Sequence, residues 1–282
     1  SLAGMKRRRA GDLSAVLLEH SYTEANMSLK NLKGNDVARA QALFAAAKEA
    51  GLIAHLALVT FHQMGELEDG YDYGRRGYDE DDDLEDATMG EIHDEDLTIE
   101  HWRNSRDRRV DLGSYRIEME ALVSNEKIDA DEPDEKEAEG YTGNAGCTMD
   151  HWYRRAAIVL WAEEDHERIL CRYNLRGASV ALAELAKAKK TAPGSAFHRL
   201  GEAVLACFPD ATPSGEFLSR MHDFSTGHLA ITLAALADAG ARDLLENLLA
   251  RVPAAAFVQC DATLWAMLHK SFGIETFASI YD

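Results

Sequence analysis

The chain has 282 residues, of which 46% are hydrophobic, and its formal net charge at pH 7 is −19. Such a length and composition are typical of a globular protein with one or two domains, and apolar runs such as 156–162 are too short for a membrane span of ~20 residues. The large negative charge disfavours nucleic-acid binding, which needs clustered Lys and Arg to neutralise phosphates.

The negative charge is concentrated in two segments. Residues 66–100 hold sixteen acidic residues against two arginines, a net charge of −14. Residues 126–139 hold eight acidic residues against two lysines, a net charge of −6. Runs of like charge repel one another and stay solvated, so we predict two acidic surface loops on a nearly neutral folded body.

The four cysteines are scattered, and no C-x-x-C pair occurs. This spacing does not support a zinc site or a disulfide framework. We therefore expect the protein to be located in the reducing cytoplasm. No signal peptide is expected, because no apolar segment with a small-residue cleavage site follows the basic residues 6–9. The chain begins with Ser-Leu, and we expect it to be a piece of a longer protein.

The start of the chain predicts a strand, a helix and a second strand. The strands are predicted at 15–20 and 52–61 from their apolar content. The helix between them is predicted to begin at Asn35 or Asp36, as an N-cap, and to end at Gly51. A strand–helix–strand unit of this length favours parallel pairing of the two strands.

Three more strands are predicted before residue 170. Apolar and polar residues alternate over 92–102, and 110–122 is predicted as an edge strand or hairpin arm. The apolar run 156–161 predicts a strand that is buried on both faces. We therefore predict that residues 1–170 form an α+β or α/β domain with a small mixed sheet and one or more helices.

After about residue 170 nearly every segment predicts helix. Ser179 and Ser195 are predicted to begin helices, and Gly240 is predicted to end one. No strict repeat period is present in this part of the chain. For residues 171–282 we therefore predict an all-α, solenoid-like array of helical hairpins, truncated where the chain ends.

Four blocks of the sequence resemble one known family. They are LEHSYTEANMSLKNLKGND at 18–36, HLALVT at 55–60, EDLTIEHW at 95–102 and GYTGNAGCTMDHWYRRAAIVLW at 140–161. In these blocks the chain is similar to large bacterial and fungal 2-oxoglutarate and iron(II)-dependent oxygenases of the prolyl 4-hydroxylase-like type. The resemblance covers roughly residues 14–162 and departs from the family at Ala145, in place of an acidic residue, and at Ala162, in place of proline.

The resemblance implies that the iron-binding domain lies N-terminal to these blocks. The intact family protein would oxidise a C–H bond with iron(II), 2-oxoglutarate and O2, and an H-x-D…H triad would hold the iron. This chain contains no H-x-D sequence. We therefore predict no catalytic residue, metal or cofactor in this chain. It would be an accessory, scaffold or substrate-recognition region whose partner is its own upstream catalytic domain or another protein.

One short pattern imitates the missing iron motif. The spacing His93-x-Glu95 gives two ligand types on one face of a strand, and His101 or His151 would be the third ligand. Acidic segments produce such spacings by chance, so the preferred interpretation is a solvated strand edge. The resemblance favours an enzyme for the parent protein, whereas this chain lacks the H-x-D…H triad, so both interpretations are kept for the chain itself.

The block at 140–161 also contains a candidate anion-binding site. Its members are Tyr141, Asn144, Trp152, Tyr153, Arg154 and Arg155. Arginine binds a carboxylate or phosphate through two hydrogen bonds, and aromatic rings can stack on the ligand. On a strand, Arg154 and Arg155 point to opposite faces, so only one of them shares a face with Trp152. The other interpretation is that an arginine pairs with an acidic loop while the aromatic side chains pack in the core.

A second function, from a different class, is also predicted. The chain would then be a protein-interaction module whose acidic loops and helical array bind a partner, and the charge of the loops favours a basic one. A third interpretation is a self-sufficient enzyme centred on residues 140–155. None of these functions involves nucleic acid or a membrane.

Overall fold

The computed structural model describes residues 13–68, 88–123, 128–129, 132–139, 147–189, 191–208, 227–252 and 254–278. The chain divides into two compact units, Ser1–Glu163 and Glu164–Asp282. Within the described residues the first unit contains strands and one long helix, whereas the second contains helices without strands. The predicted α+β class is therefore confirmed.

The described part of the first unit is built on a six-stranded sheet in which neighbouring strands are antiparallel. The strands are β1 (Ser14–Ser21), β2 (Leu52–Glu68), β3 (Thr88–Arg103), β4 (Tyr115–Arg116), β5 (Glu135–Glu139) and β6 (Thr148–Ala162). Their order is β1-β6-β2-β3-β4. Strand β5 also pairs with β6, on the edge that β1 occupies further along.

The predicted parallel pairing of the first two strands is wrong. Strands β1 and β2 run in the same direction, but β6 lies between them and pairs antiparallel with both. The connecting helix, α1 (Asn35–Ala50), buries Ala40 and Ala47 in a cluster that includes Leu56 of β2 and Ile158 of β6. The sheet is antiparallel rather than mixed because the last strand of the sequence enters between the first two.

The strands include part of the predicted acidic loops. Strand β2 continues through residues 66–68, and β3 contains residues 88–100 of the first acidic segment. In the second acidic segment, residues 135–139 form β5. These parts are therefore strand rather than loop, although most of their acidic side chains are exposed, as predicted. An antiparallel sheet allows this, because one of its faces can remain in water.

Helix α1 confirms the predicted stop and corrects the predicted start. Gly51 closes the helix in the left-handed conformation, with φ of 66°. At the other end Gly34 occupies the N-cap position, and no side chain caps the helix. Asp36 lies in the first turn, is fully buried, and directs its carboxylate to the backbone at the end of β1 instead of capping.

The described residues of the second unit form six α-helices, namely α2 (His166–Tyr173), α3 (Leu175–Lys187), α4 (Ala196–Ala206), α5 (Gly227–Ala239), α6 (Arg242–Arg251) and α7 (Ala262–Phe272). Ser195 caps α4 as predicted, but α3 begins before Ser179 and is capped by Asn174. All six helices contribute to one hydrophobic cluster, and the structure does not confirm the predicted solenoid-like array. None of the described helices has the length and apolar content that crossing a membrane requires.

Candidate binding site at the β3 bulge

The pairing between β2 and β3 is irregular around His101. Leu58 pairs with Glu100 but Leu56 pairs with Arg103, so β3 contains one extra residue here, a β-bulge. His101 has φ of 57°, in the left-handed region that residues with a Cβ rarely adopt. A bulge redirects side chains, and backbone strain of this kind is concentrated at functional sites.

A cavity of about 440 Å³ opens beside this bulge, and we refer to it as the bulge cavity. Its walls come from the turn that follows β1, from the end of β3, and from the hairpin that follows β3. Its principal lining residues are Glu24, Met27, His101, Trp102, Arg103 and Arg109. Small-ligand pockets commonly measure roughly 300–1,000 Å³, so the bulge cavity has the size of a ligand-binding pocket.

Buried contacts hold both walls of the bulge cavity. Trp102 is 2% exposed, and its indole N–H donates a hydrogen bond of 2.7 Å to the carbonyl of Gly113. Its ring packs on Tyr115 with centroids 4.7 Å apart. Asp107, with φ of 60°, accepts a 2.9 Å hydrogen bond from the amide of Leu29, which joins the hairpin to the turn after β1. The shape of the cavity is therefore set by the fold rather than by exposed side chains.

Charged groups of both signs surround the mouth of the bulge cavity. Nδ1 of His101 lies 3.4 Å from Oε1 of Glu24, and Nη1 of Arg109 lies 3.5 Å from the same oxygen. Nε2 of His101 lies 3.7 Å from the carboxylate of Glu100. The side chains of Arg109 and Glu24 are 68% and 49% exposed, so their ion pair is worth only about 0–1 kcal/mol. A ligand carboxylate can therefore replace Glu24 at little cost.

The hairpin that follows β3 is basic within an acidic unit. Residues 103–109, the arginine hairpin, contain four arginines and one aspartate, and two of these arginines form ion pairs. The side chains of Arg106 and Arg108 are exposed, and no acidic side chain among the described residues pairs with them. Their amides donate hydrogen bonds of 2.9 and 3.1 Å to Oδ1 of Asn104. The backbone of the hairpin is thus held in place while two of its cations face solvent.

The predicted anion-site residues are distributed over both faces of β6. Trp152 and Arg154 share one face, and Tyr153 and Arg155 share the other, as strand alternation requires. Trp152 stacks on His62 with ring centroids 4.9 Å apart, and Tyr153 is 6% exposed in the core. The other two predicted members, Tyr141 and Asn144, lie outside the described residues.

Both arginines of this block are engaged by the second acidic segment. Arg154 pairs with Glu135 of β5. Arg155 is 6% exposed, and its Nη1 lies 3.3 Å from Asp134 and donates a 2.7 Å hydrogen bond to the hydroxyl of Ser21. These contacts join β6 to β5 and to the end of β1. The two arginines therefore stabilise the sheet.

The alternative metal ligands are not brought together. His93 lies 3.7 Å from Glu66, and Glu95 accepts a 2.8 Å hydrogen bond from Gln63. His101 lies in the bulge at the other end of β3. Within the described part of the chain, these three residues do not place their ligand atoms within 4.8 Å of one another. They therefore do not fit an iron site of the oxygenase type.

A different group, Glu19, His20 and Asp36, does place its ligand atoms within 4.8 Å. Asp36, however, is 0% exposed and already accepts four hydrogen bonds of 2.8–3.0 Å, from the amides of Glu19 and His20, the His20 ring and the Tyr22 hydroxyl. Three of these bonds reach Oδ2 and one reaches Oδ1, so the carboxylate already has as many partners as its roughly four lone pairs can serve. Burial alone would raise the pKa of Asp36, but these hydrogen bonds outweigh it and hold that pKa below its usual range. Burial also raises the pKa of Tyr22 to about 12.

The bulge cavity and the arginine hairpin were missed by the sequence predictions. The total charge of −19 concealed a short basic run, and no local pattern indicates a bulge at His101. One signal was present in the sequence, since residues 103–109 contain four arginines within seven positions. When the net charge is counted over windows of seven residues, the chain shows this basic segment as well as the two acidic ones.

Substitutions at His101 test the strain in the bulge. We expect His101→Val to lower the free energy of unfolding by about 1–2 kcal/mol, because a β-branched residue is poorly accommodated at φ of 57°. His101→Gly should stay within about 1 kcal/mol of the wild type, because glycine adopts that φ freely. His93→Val, on the same strand at an exposed position, is the matched control and should be neutral. Equal denaturant midpoints for His101→Val and His93→Val would contradict the conclusion that the backbone at His101 is strained.

Comparison with protein-family models, curated proteins and solved structures gives no match for this chain. The fold and the site together define an α+β protein whose antiparallel sheet carries a charged cavity at a β-bulge. The resemblance to iron(II) and 2-oxoglutarate-dependent oxygenases stays a prediction.

Proposed function

We propose that this chain is a substrate-recognition region of a larger oxygenase-like protein, and that it binds an acidic polypeptide segment at the bulge cavity. The observation that carries the proposal is the arginine hairpin beside the cavity. There Arg106 and Arg108 are exposed without an acidic partner among the described residues, in a chain with a net charge of −19. Cations left unpaired amid so many carboxylates favour a binding role over a role in stability.

The chemistry of the hairpin and the cavity defines the ligand. Guanidinium groups bind carboxylates through short, charge-assisted and often bidentate hydrogen bonds. Arg109 can join Arg106 and Arg108 in this role, because its exposed pair with Glu24 is weak. Val110 also lines the cavity and is partly exposed, so it offers apolar surface to a ligand. The ligand is thus a segment with two or more carboxylates beside an apolar side chain.

The location of the resembling blocks supports a place in an oxygenase-like protein. Two of the four blocks, 18–36 and 95–102, supply the wall that holds Glu24 and Met27 and the bulge that holds His101. Iron and 2-oxoglutarate would be held by the upstream domain, and the residues of this chain would position the substrate. The four free cysteines support a cytoplasmic location.

Peptide binding by the full chain tests the proposal. A fluorescein-labelled peptide of glutamates around one leucine should bind, and its affinity should fall as salt is added. We expect Arg106→Glu with Arg108→Glu to weaken binding at least about tenfold, or about 1.4 kcal/mol, in fluorescence anisotropy. Lys189→Glu with Lys270→Glu is the matched control, because it changes the net charge equally in the other unit. Equal affinities for the two double variants would overturn the proposal.

A second function, as an interaction module for a basic partner, is favoured by the acidic strands. Six carboxylates on β3 and β5 are exposed, namely Glu91, Asp94, Glu95, Glu135, Glu137 and Glu139. Charge on sheet edges also prevents aggregation, so their exposure alone does not establish a partner. The same titration with a lysine-rich peptide separates the two functions. If that peptide binds more tightly, and the arginine substitutions do not weaken it, the second function replaces the first.

A further inference from the structure

One oxygen of Glu24 faces two nitrogen groups at the mouth of the bulge cavity. Oε1 of Glu24 lies 3.4 Å from Nδ1 of His101 and 3.5 Å from Nη1 of Arg109. We propose that His101 and Arg109 form an anchoring subsite for one carboxylate of the acidic ligand, and that Glu24 fills this subsite until the ligand displaces it. This inference rests on the proposed function, to which it adds one residue that binds the ligand and one that competes with it.

The backbone on both sides of this contact is held in place. The turn that carries Glu24 is closed by a hydrogen bond of 2.9 Å from the amide of Thr23 to Oδ1 of Asn26. On the opposite side, Arg109 pairs with Arg103 in an antiparallel bridge. The Glu24 side chain is 49% exposed, so it can rotate into solvent while the backbone stays where it is. The subsite therefore keeps its geometry when Glu24 leaves it.

The contact of Glu24 with its two partners is loose. Both distances exceed the ~2.7–3.2 Å that a good N–H···O hydrogen bond requires. A carboxylate that enters from solvent is not tethered to the turn, so it can approach both groups to within that range. Charge-assisted hydrogen bonds of that length are the stronger ones. The ligand therefore gains more at this subsite than the release of Glu24 costs.

The bulge in β3 directs His101 into the cavity. Residues 100–103 all line it, whereas neighbouring side chains of a regular strand point to opposite faces. The extra residue in β3 breaks this alternation, and His101 adopts φ of 57° as a result. Backbone strain of this kind persists where it serves a site. At this position it serves to present the imidazole to the ligand.

The competition by Glu24 sets a threshold for binding. The apparent affinity of a ligand falls by the fraction of molecules in which its subsite is open. An exposed ion pair lowers that affinity at most about fivefold, the equivalent of about 1 kcal/mol. A small monocarboxylate has only this subsite to bind, so Glu24 excludes it. A segment with several carboxylates also contacts Arg106 and Arg108, and it overcomes the competition.

Anisotropy titration of the full chain with the labelled glutamate and leucine peptide tests the subsite. Glu24→Gln removes the competing charge and keeps the size of the side chain, so we expect it to tighten binding about two- to fivefold. Asp111→Asn is the matched control, because Asp111 lines the same cavity and is exposed. Among the described residues, no ion pair or hydrogen bond engages the Asp111 side chain. This control should change the affinity less than twofold.

A second pair of variants tests His101. His101→Gly removes the imidazole and relieves the strain, because glycine adopts φ of 57° freely. We expect it to weaken peptide binding about threefold or more, which a purely structural role of His101 would not do. In the His101→Gly background, Glu24→Gln should tighten binding less than it does in the wild type, because the subsite that it opens is then incomplete.

The subsite and the proposed function can fail separately. Equal affinities of the wild type and Glu24→Gln, or equal tightening by Glu24→Gln and Asp111→Asn, would overturn the subsite alone. Binding by Glu24→Gln in the absence of binding by the wild type would support it. If neither chain binds the peptide, the proposed function is wrong and the subsite with it.

Discussion

Replacing Asp36 with alanine is expected to lower the free energy of unfolding of the first unit by about 3–5 kcal/mol. The substitution leaves two amides, the Tyr22 hydroxyl and the His20 ring without the carboxylate that now accepts their hydrogen bonds. Tyr22 is 2% exposed, so its hydroxyl has little access to water in compensation. Because a domain is stable by only about 5–15 kcal/mol, this is a large fraction of the total.

Urea denaturation monitored by circular dichroism measures the effect of Asp36→Ala. The control is Asp243→Ala, which removes a carboxylate from the first turn of α6. The Asp243 side chain is 66% exposed and pairs with His198 at 2.7 Å, so its loss should cost no more than about 1 kcal/mol. Similar losses for the two substitutions would show that the Asp36 network contributes no more than an ordinary surface pair.

The Asp36 network also has an expected pH dependence. The pKa of the Asp36 carboxyl is lower in the folded state than in the unfolded state. Its contribution to the free energy of unfolding is therefore fully present above the unfolded pKa and is lost as the pH falls through the folded pKa. The stability difference between the wild type and Asp36→Ala should therefore be largest near neutral pH and should shrink below about pH 4. A difference that does not change between pH 7 and pH 3 would contradict this assignment.

The adjacent arginines of β6 are expected to respond very differently to the same change. Arg155→Ala should destabilise the first unit by about 2–4 kcal/mol, because it removes a guanidinium only 6% exposed that pairs with Asp134 and donates to the hydroxyl of Ser21. Arg154→Ala should cost no more than about 1 kcal/mol, since its pair with Glu135 is open to solvent. Denaturant unfolding of both variants in parallel makes each the control of the other. A larger loss for Arg154→Ala would reverse this interpretation of the two faces of β6.

Features that depend on a few neighbouring residues were predictable from the sequence. Gly51 ends α1 because glycine adopts the left-handed conformation without strain, and Ser195 caps α4 because its hydroxyl reaches the amide of His198. Arg154 and Arg155 lie on opposite faces because side chains alternate along every strand. In each case the outcome is decided within one turn of helix or a few strand residues.

The bulge cavity was not predictable, because its parts come from distant segments. An extra residue in β3 shows only in its register with β2, and the wall opposite His101 comes from the turn after β1. Nothing in residues 95–102 themselves distinguishes a bulged strand from a regular one. The arginine hairpin was visible in composition, but only the structure places it beside a cavity.

The sequence by itself determined that strands dominate the first part of the chain and helices the second, where α1 ends and α4 begins, and that most described acidic side chains of the two acidic segments face water. These properties follow from local conformational preference and from the cost of burying charge. Only the tertiary structure decided the antiparallel strand order, the bulge, and the partners of the buried polar groups. Arg155 meets Ser21 across 134 residues of sequence, and no short-range rule specifies such a contact. It forms because β6 lies between β1 and β2, an arrangement that the packing of the whole sheet selects.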